Sequence, residues 1–229
     1  TINTRGKSSE GFPKHQYHLE MYDAQGDETD VEILGLPAES DWVLQGPYSD
    51  KSLIRNVLSY RWANEMGRYA PRTRLIEMFL NIDNASVTMS DYVGVYVLME
   101  KIKIGPNRVN VTELEPSDNA EPEVTGGYII KKDKFDGDDM SFGTSRGQSL
   151  IYQDPNGQDL TPQQRDWIRD YVNLFEGALY GASFTDPQIG YAKYIDVGSF
   201  IDNHILVELT KNIDGFRLST YMHKDRNGK

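Results

Sequence analysis

Residues 73–101 constrain the fold more than any other stretch of this chain, because they read as two consecutive strands. Residues 73–82 alternate, with Ile76, Met78, Leu80 and Ile82 on one side, as the two-residue period of a strand requires. A polar loop follows at 83–90, and residues 92–101 are apolar on both faces until Glu100. Two such runs joined by a short loop predict an antiparallel pair.

Other elements fall around this pair. Residues 4–11 are small and polar and read as a loop. A strand over 16–21 places Tyr17, Leu19 and Met21 on one face. Residues 51–66 have helical spacing, with Ser49 or Asp50 as cap and Gly67 as stop. The acidic, Pro-containing stretch 113–124 is expected to be exposed. Residues 127–132 read as a short strand, and the Gly- and Asp-rich 135–148 as a mobile loop. Thr161-Pro162-Gln163-Gln164 is a capping-box pattern with Pro at the first helical position. The helix behind it carries Trp167, Ile168, Tyr171, Val172, Phe175 and Leu179 on one face. Another helix starts near Asp196 and carries Phe200, Ile201, Ile205 and Leu209. It runs into Asn212-Ile213-Asp214-Gly215, a strand over 219–224 and a turn over 225–228. Strands with one helix, then mostly helices, suit an α+β protein with two lobes. The boundary falls near 102–107, where Gly105-Pro106 breaks the chain.

Composition narrows the function. With 38% hydrophobic and 11% aromatic residues in 229, a real core is expected rather than disorder. A net charge of −11 without a Lys/Arg run argues against nucleic-acid binding and allows cationic partners. The absence of Cys excludes disulfides, thiolate zinc sites and cysteine nucleophiles. No run approaches the roughly 18 apolar residues of a membrane span. No signal peptide is visible at the start, which is not a Met.

Three local features could carry chemistry. At the end of the chain a helix stops, a loop places Asp214, and a strand and tight turn follow. Phosphoryl-transfer enzymes use such a layout, because one carboxylate must orient an acceptor hydroxyl while another holds magnesium at a fixed distance. Taken alone, Asn-x-Asp-Gly is usually just a turn. Near the start, Gly6 could let backbone N–H groups approach phosphates, with Arg5 or Lys14 adding charge; alone it is a surface loop. Glu100, Lys101 and Ile102, at a strand end, could form a hinge against adenine, or a solvated terminus. His15, His18, His204 and His223 show no zinc spacing and read as surface or packing residues. Asp133, Asp136, Asp138 and Asp139 lack calcium-loop spacing and read as a solvated loop. No G-x-S-x-G elbow is present.

Seven stretches in order, spanning nearly the whole chain, give the sequence a resemblance to a known family. They are Arg5-Gly6-Lys7-Ser8-Ser9, residues 36–44 (LPAESDWVL), residues 46–56 (GPYSDKSLIRN), Tyr69-Ala70-Pro71-Arg72-Thr73, Gly94-Val95-Tyr96 with Glu100-Lys101-Ile102, Gly126-Gly127-Tyr128, and residues 208–214 (ELTKNID). The chain resembles the CotH (spore coat protein H-like) atypical protein kinases. The resemblance implies a divergent protein-kinase-like two-lobed fold. Residues 1–102 would be the nucleotide-binding, N-lobe-like part. Residues 103–229 would be the mainly helical C-lobe-like part, incomplete in the catalytic hairpin. It implies ATP with Mg2+ or Mn2+, a Ser/Thr-rich protein substrate, and a location at a spore coat, cell surface or outside a bacterium. Asp214 takes the place of the catalytic Asp; Arg5, Gly6, Ser8, Lys14, Glu100, Lys101 and Ile102 would meet the nucleotide. Arg55 or Glu65 would contact a nucleotide-binding lysine. Ser219 falls where a second metal ligand is expected, and the main metal Asp is expected beyond Lys229. On this reading the chain is a fragment, because ending in the turn leaves strand 219–224 without a local partner. Lys131 and Lys132 depart from the family pattern, which favours an acidic residue there. The alternative is a non-catalytic assembly protein with the same fold.

Overall fold

The computed structural model describes residues 1–7 and 9–229. The chain forms two compact units, Thr1–Ile102 and Lys103–Lys229. Together they are a mixture of helix and strand, as an α+β chain should be.

The first unit is built on a five-stranded antiparallel sheet in the order β1-β2-β5-β7-β6. These strands are β1 (Ile2–Arg5), β2 (Gln16–Glu20), β5 (Asp41–Gln45), β6 (Thr73–Phe79) and β7 (Tyr92–Glu100). A separate hairpin, β3 (Val31–Ile33) and β4 (Leu36–Glu39), and one helix, α1 (Arg55–Glu65), complete the unit. β7 is apolar on both faces because both are covered. Tyr96 and Leu98 join Tyr17, Trp42, Leu44 and Met78 on the side covered by Leu36 and Ile33. Val97 and Met99 pack with Val43 against Val57 and Tyr60 of α1 on the other.

Three expectations for this unit are corrected. Residues 2–5 form a strand although every one is exposed. The partner β2, not an apolar pattern, supplies the register: Ile2 faces Leu19 and Arg5 faces Gln16. The helix begins at Arg55, not at 51, because Leu53 has φ of 65° and a left-handed residue cannot propagate a right-handed helix. Asp50 still caps it from outside, accepting from the Arg55 N–H at 2.9 Å. Finally, β6 stops at Phe79, and Ile82 is 87% exposed instead of sharing the apolar face.

The second unit carries a four-stranded sheet in the order β11-β8-β10-β9. Its strands are β8 (Tyr128–Lys132), β9 (Ser141–Gly143), β10 (Ser149–Asp154) and β11 (Thr220–Lys224), with helices α2 (Pro162–Leu179) and α3 (Val197–Thr210). Thr161 caps α2 as its sequence predicts: its hydroxyl accepts from Gln164 N–H at 3.2 Å, and Gln164 Oε1 accepts from Thr161 N–H at 2.9 Å. Asp196 caps α3 through Ser199. Ile168, Trp167 and Val172 of α2 pack on Tyr128, Ile130, Leu150 and Tyr152.

Here too the structure corrects the reading. Strand β11 does have a partner. It pairs along its full length with β8, Thr220 facing Lys132 and Lys224 facing Tyr128. The stretch 135–148 contains β9, paired with β10. Within 113–124, Leu114 and Val124 are buried and Asp118 binds Arg226 at 2.9 Å. On α3, Ile201, Ile205 and Leu209 remain 49–64% exposed, and Val207 is its buried residue.

Candidate functional site

The sequence candidates fall into both units, and the structure positions each within its own. In the second unit, α3 ends at Lys211, whose φ of 52° turns the chain out of the helix. Asn212 Oδ1 then accepts from Asp214 N–H at 3.2 Å, and the Asp214 carbonyl accepts from the N–H groups of Arg217 and Leu218. A Cβ on Gly215 would lie 2.7 Å from Val207, so only glycine lets this loop press against α3. The loop is thereby fixed at both sides of Asp214. The Asp214 carboxylate is partly exposed and accepts from Arg217 Nη2 at 3.1 Å. An exposed pair three residues apart contributes little to stability.

Ser219 takes φ of 51°, and its hydroxyl donates to Asp133 Oδ2 at 3.3 Å. Asp133 follows β8, and the pairing of Thr220 with Lys132 brings the two together. One end of the sheet therefore carries Ser219 and Asp133, with Asp214 five residues earlier on the loop leading into β11. The sequence alone places Asp133 in a solvated loop; the strand register brings it to Ser219. The nearby Lys131 faces Asp139, and Lys132 donates to Gln148. Gln148 also lines a groove of about 570 Å³ with Ser145, Arg146, Phe175, Glu176 and Tyr180, at the same end of the sheet.

The Gly-Gly-Tyr motif explains how β11 continues. A Cβ on Gly126 would fall 1.9 Å from Arg226 N, and one on Gly127 would fall 2.6 Å from Thr112 O. Gly126 lets the 225–226 turn lie directly on the strand's start, and Gly127 lets residues 112–114 approach it from elsewhere. Lys224 is drawn inside, donating to the carbonyls of Thr125 and Asp225 at 2.8 Å each. Its ammonium lies 4.9 Å from the Tyr171 ring centre and 5.6 Å from that of Trp167. Burial lowers its pKa, with the Asp225 charge pulling the other way.

In the first unit the candidates divide between the two faces of the sheet. Gly6 has φ of +101°, a conformation L side chains rarely adopt, and a Cβ there would meet Ser9 Oγ at 2.1 Å. Arg5 lies on the α1 side: it faces Gln16, one residue out of phase with Tyr17, and its charge acts on Tyr60. Lys14 lies on the other side, donating to the Val95 carbonyl and sitting 4.8 Å over the Tyr96 ring. Desolvation, then the Lys51 charge, lowers its pKa. It lines a pocket of about 350 Å³ with Tyr17, Tyr48, Val93 and Tyr96. Ser8 lies outside the described residues.

Glu100 is fully buried and takes three hydrogen bonds from one residue. Arg72 Nε and Nη2 approach Oε1 at 2.7 Å, and Arg72 N–H donates to Oε2 at 2.9 Å. Lys101 points to the α1 side, 3.3 Å from Asp41 Oδ1, and Ile102 is half-buried. A hinge here would therefore use backbone groups, the Glu100 and Lys101 side chains being engaged within the unit. Arg55 faces Asp50 at 3.5 Å and Glu65 faces Arg61 at 2.7 Å. Among the described residues, His18, Glu20 and Asp41 form the one group of three side chains placed to share a metal ion.

The sequence model of the family described as CotH kinase protein matches residues 2–229. No curated protein matches the chain. No described helix is long and apolar enough to cross a membrane.

Proposed function

The chain belongs to the CotH kinase family, and from that premise we propose that it transfers the γ-phosphate of ATP to Ser or Thr hydroxyls of a protein. The observation that carries the reading is Asp214: a partly exposed carboxylate on a loop fixed by Asn212 and Gly215, between helix α3 and strand β11. That is what in-line transfer asks of an orienting base.

In this reading Asp214 accepts the hydrogen bond of the acceptor hydroxyl. It takes that proton as the hydroxyl oxygen bonds to the γ-phosphorus. The bond from that phosphorus to the β–γ bridging oxygen breaks, and ADP leaves with the electron pair. Gly6 and Arg5 approach the phosphates, while Lys14 anchors the same loop through Val95. The backbone of 100–102 meets the base. The oxygens of Asp133 and Ser219 are hard donors of the kind that suit Mg2+ or Mn2+, and they would hold one ion together with an Asp that follows Lys229. Such an ion would neutralise the charge on the triphosphate. The substrate would be a Ser/Thr-rich protein of a spore coat or cell surface, in keeping with the family's association with spore coats.

The full-length protein, given ATP, magnesium and a Ser-rich polypeptide, should incorporate phosphate. Asp214→Asn should lower the rate about 10²–10⁴-fold, the range for loss of a general base. Unchanged transfer by the variant would refute the role of Asp214. Calorimetry with ATP and magnesium separates the rival reading, since a purely structural member of the family should bind no nucleotide saturably.

A further inference from the structure

We propose a divalent-cation site at His18, Glu20 and Asp41 on the first unit's sheet, separate from any ion that accompanies ATP. His18 and Glu20 are two residues apart on β2, so their side chains share a face. Asp41 stands directly opposite Glu20 on β5. Two carboxylates facing each other across a strand pair repel, and a cation between them removes that repulsion. The imidazole supplies the third ligand. His18 Nε2 lies 2.9 Å from Asp41 Oδ1, and His18 Nδ1 lies 3.6 Å from Glu20 Oε1. One donor atom from each residue lies within 4.8 Å of the others. Each ring nitrogen faces a different carboxylate, and donors around a tetrahedral zinc are about 3.4 Å apart given bond lengths near 2.1 Å, so binding requires the imidazole to turn until one nitrogen faces both Asp41 and Glu20. A nitrogen with two carboxylates suits Zn2+ or Mn2+ better than Ca2+.

Two surrounding features fit a metal site. Glu20 Oε2 is held by the hydroxyls of Thr1 at 3.0 Å and Tyr22 at 3.1 Å, which orients Oε1 toward His18. Hydrogen-bonded support of this kind tunes metal ligands. The three side chains are only 18–28% exposed, a half-sheltered position that an ion can still reach. The Lys101 ammonium, 3.3 Å from Asp41, is the resident counter-cation. Metal entry would displace it from Asp41, so the site and Lys101 compete.

The test uses chelator-treated protein without nucleotide, so its result is independent of phosphotransfer. Calorimetry with Zn2+ should show one site, and Co2+ should give visible absorption from imidazole coordination. His18→Ala and Asp41→Asn should each weaken Zn2+ binding at least tenfold, with native circular dichroism confirming the fold. Tyr22→Phe should weaken it by up to about tenfold. Lys101→Met should tighten it, because the competing charge is gone. No Zn2+ binding, or binding that survives both ligand substitutions, would overturn the site. Weaker binding in Lys101→Met would overturn the competition.

Discussion

The two units bury charge in opposite ways. In the first, the carboxylate of Glu100 is 0% exposed and is met by a guanidinium and a backbone N–H of one residue, Arg72. In the second, the ammonium of Lys224 is 6% exposed and is met by two carbonyls and two aromatic faces. Two guanidinium nitrogens converge on Oε1 while the backbone N–H takes Oε2, so the first solution is directional and engages both carboxylate oxygens. The second relies on partial charges and ring quadrupoles, which tolerate small shifts. The difference teaches what each charge stabilises. Glu100 ties the end of β7 to the segment before β6, whereas Lys224 ties β11 and the turn after it to the start of β8. The first unit is hence sensitive to loss of one partner, and the second to loss of the close approach that brings Lys224 inside.

That contrast can be broken by substitution. The largest effect is expected for Gly126→Ala, whose Cβ would overlap the backbone of Arg226. The 225–226 turn cannot yield without pulling Lys224 out. A loss of at least about 4 kcal/mol in denaturant unfolding is expected, with hydrogen exchange rising in β8 and β11 and unchanged in β5 and β7. Wild-type protection in β8 would show that the turn does not depend on this contact. Glu100→Ala should follow, at about 3 kcal/mol, because it removes the buried carboxylate that Arg72 faces; the figure is at the low end for a broken buried pair since Arg72 is itself 39% exposed. Here exchange should rise in β6 and β7.

Lys224→Met should cost less, about 1–2 kcal/mol. The aromatic faces accept a thioether, and the loss is chiefly the two hydrogen bonds to carbonyls. A cost above that of Glu100→Ala would reverse the comparison. The smallest effect at neutral pH belongs to Tyr96→Phe, about 1 kcal/mol, for the bond from its hydroxyl to His15 O at 2.9 Å. Burial pushes the Tyr96 phenol up to about 12 from 10.0. Between pH 10 and 12 the unfolded chain gives up this proton while the folded chain keeps it, so wild-type stability falls as pH rises. The fall should exceed that of Tyr96→Phe by up to about 1 kcal/mol per pH unit, and parallel curves would show that the phenol does not ionise differently in the two states.

Much of the fold is legible before any coordinates. The capping box of α2, the Asp196 cap of α3 and the face of Tyr17, Leu19 and Met21 follow from residues within one or two turns of each other, and the β6–β7 pair from two runs joined by a short loop. Local geometry decides them, and local sequence encodes that geometry. The candidate site was legible only in its centre. Asp214 sits where its neighbours Asn212 and Gly215 predict a fixed turn, whereas the meeting of Asp133 with Ser219 is not visible in the sequence, because it depends on a register between strands some ninety residues apart. The same holds for His18. Its spacing to Glu20 is visible in the sequence, but the partnership with Asp41 exists only once β2 and β5 align.

By itself the sequence determined the class of fold, the helix caps, the glycine positions and the family. These rest on periodicity, on backbone conformations open to few residue types, and on motifs in fixed order. Tertiary structure alone decided that residues 2–5 are a strand, that β11 docks on β8, and which carboxylates come within reach of one another. The physical reason is that an edge strand takes its hydrogen bonds from a partner rather than from its own apolar pattern. Which partner it finds is settled by the packing of the whole unit.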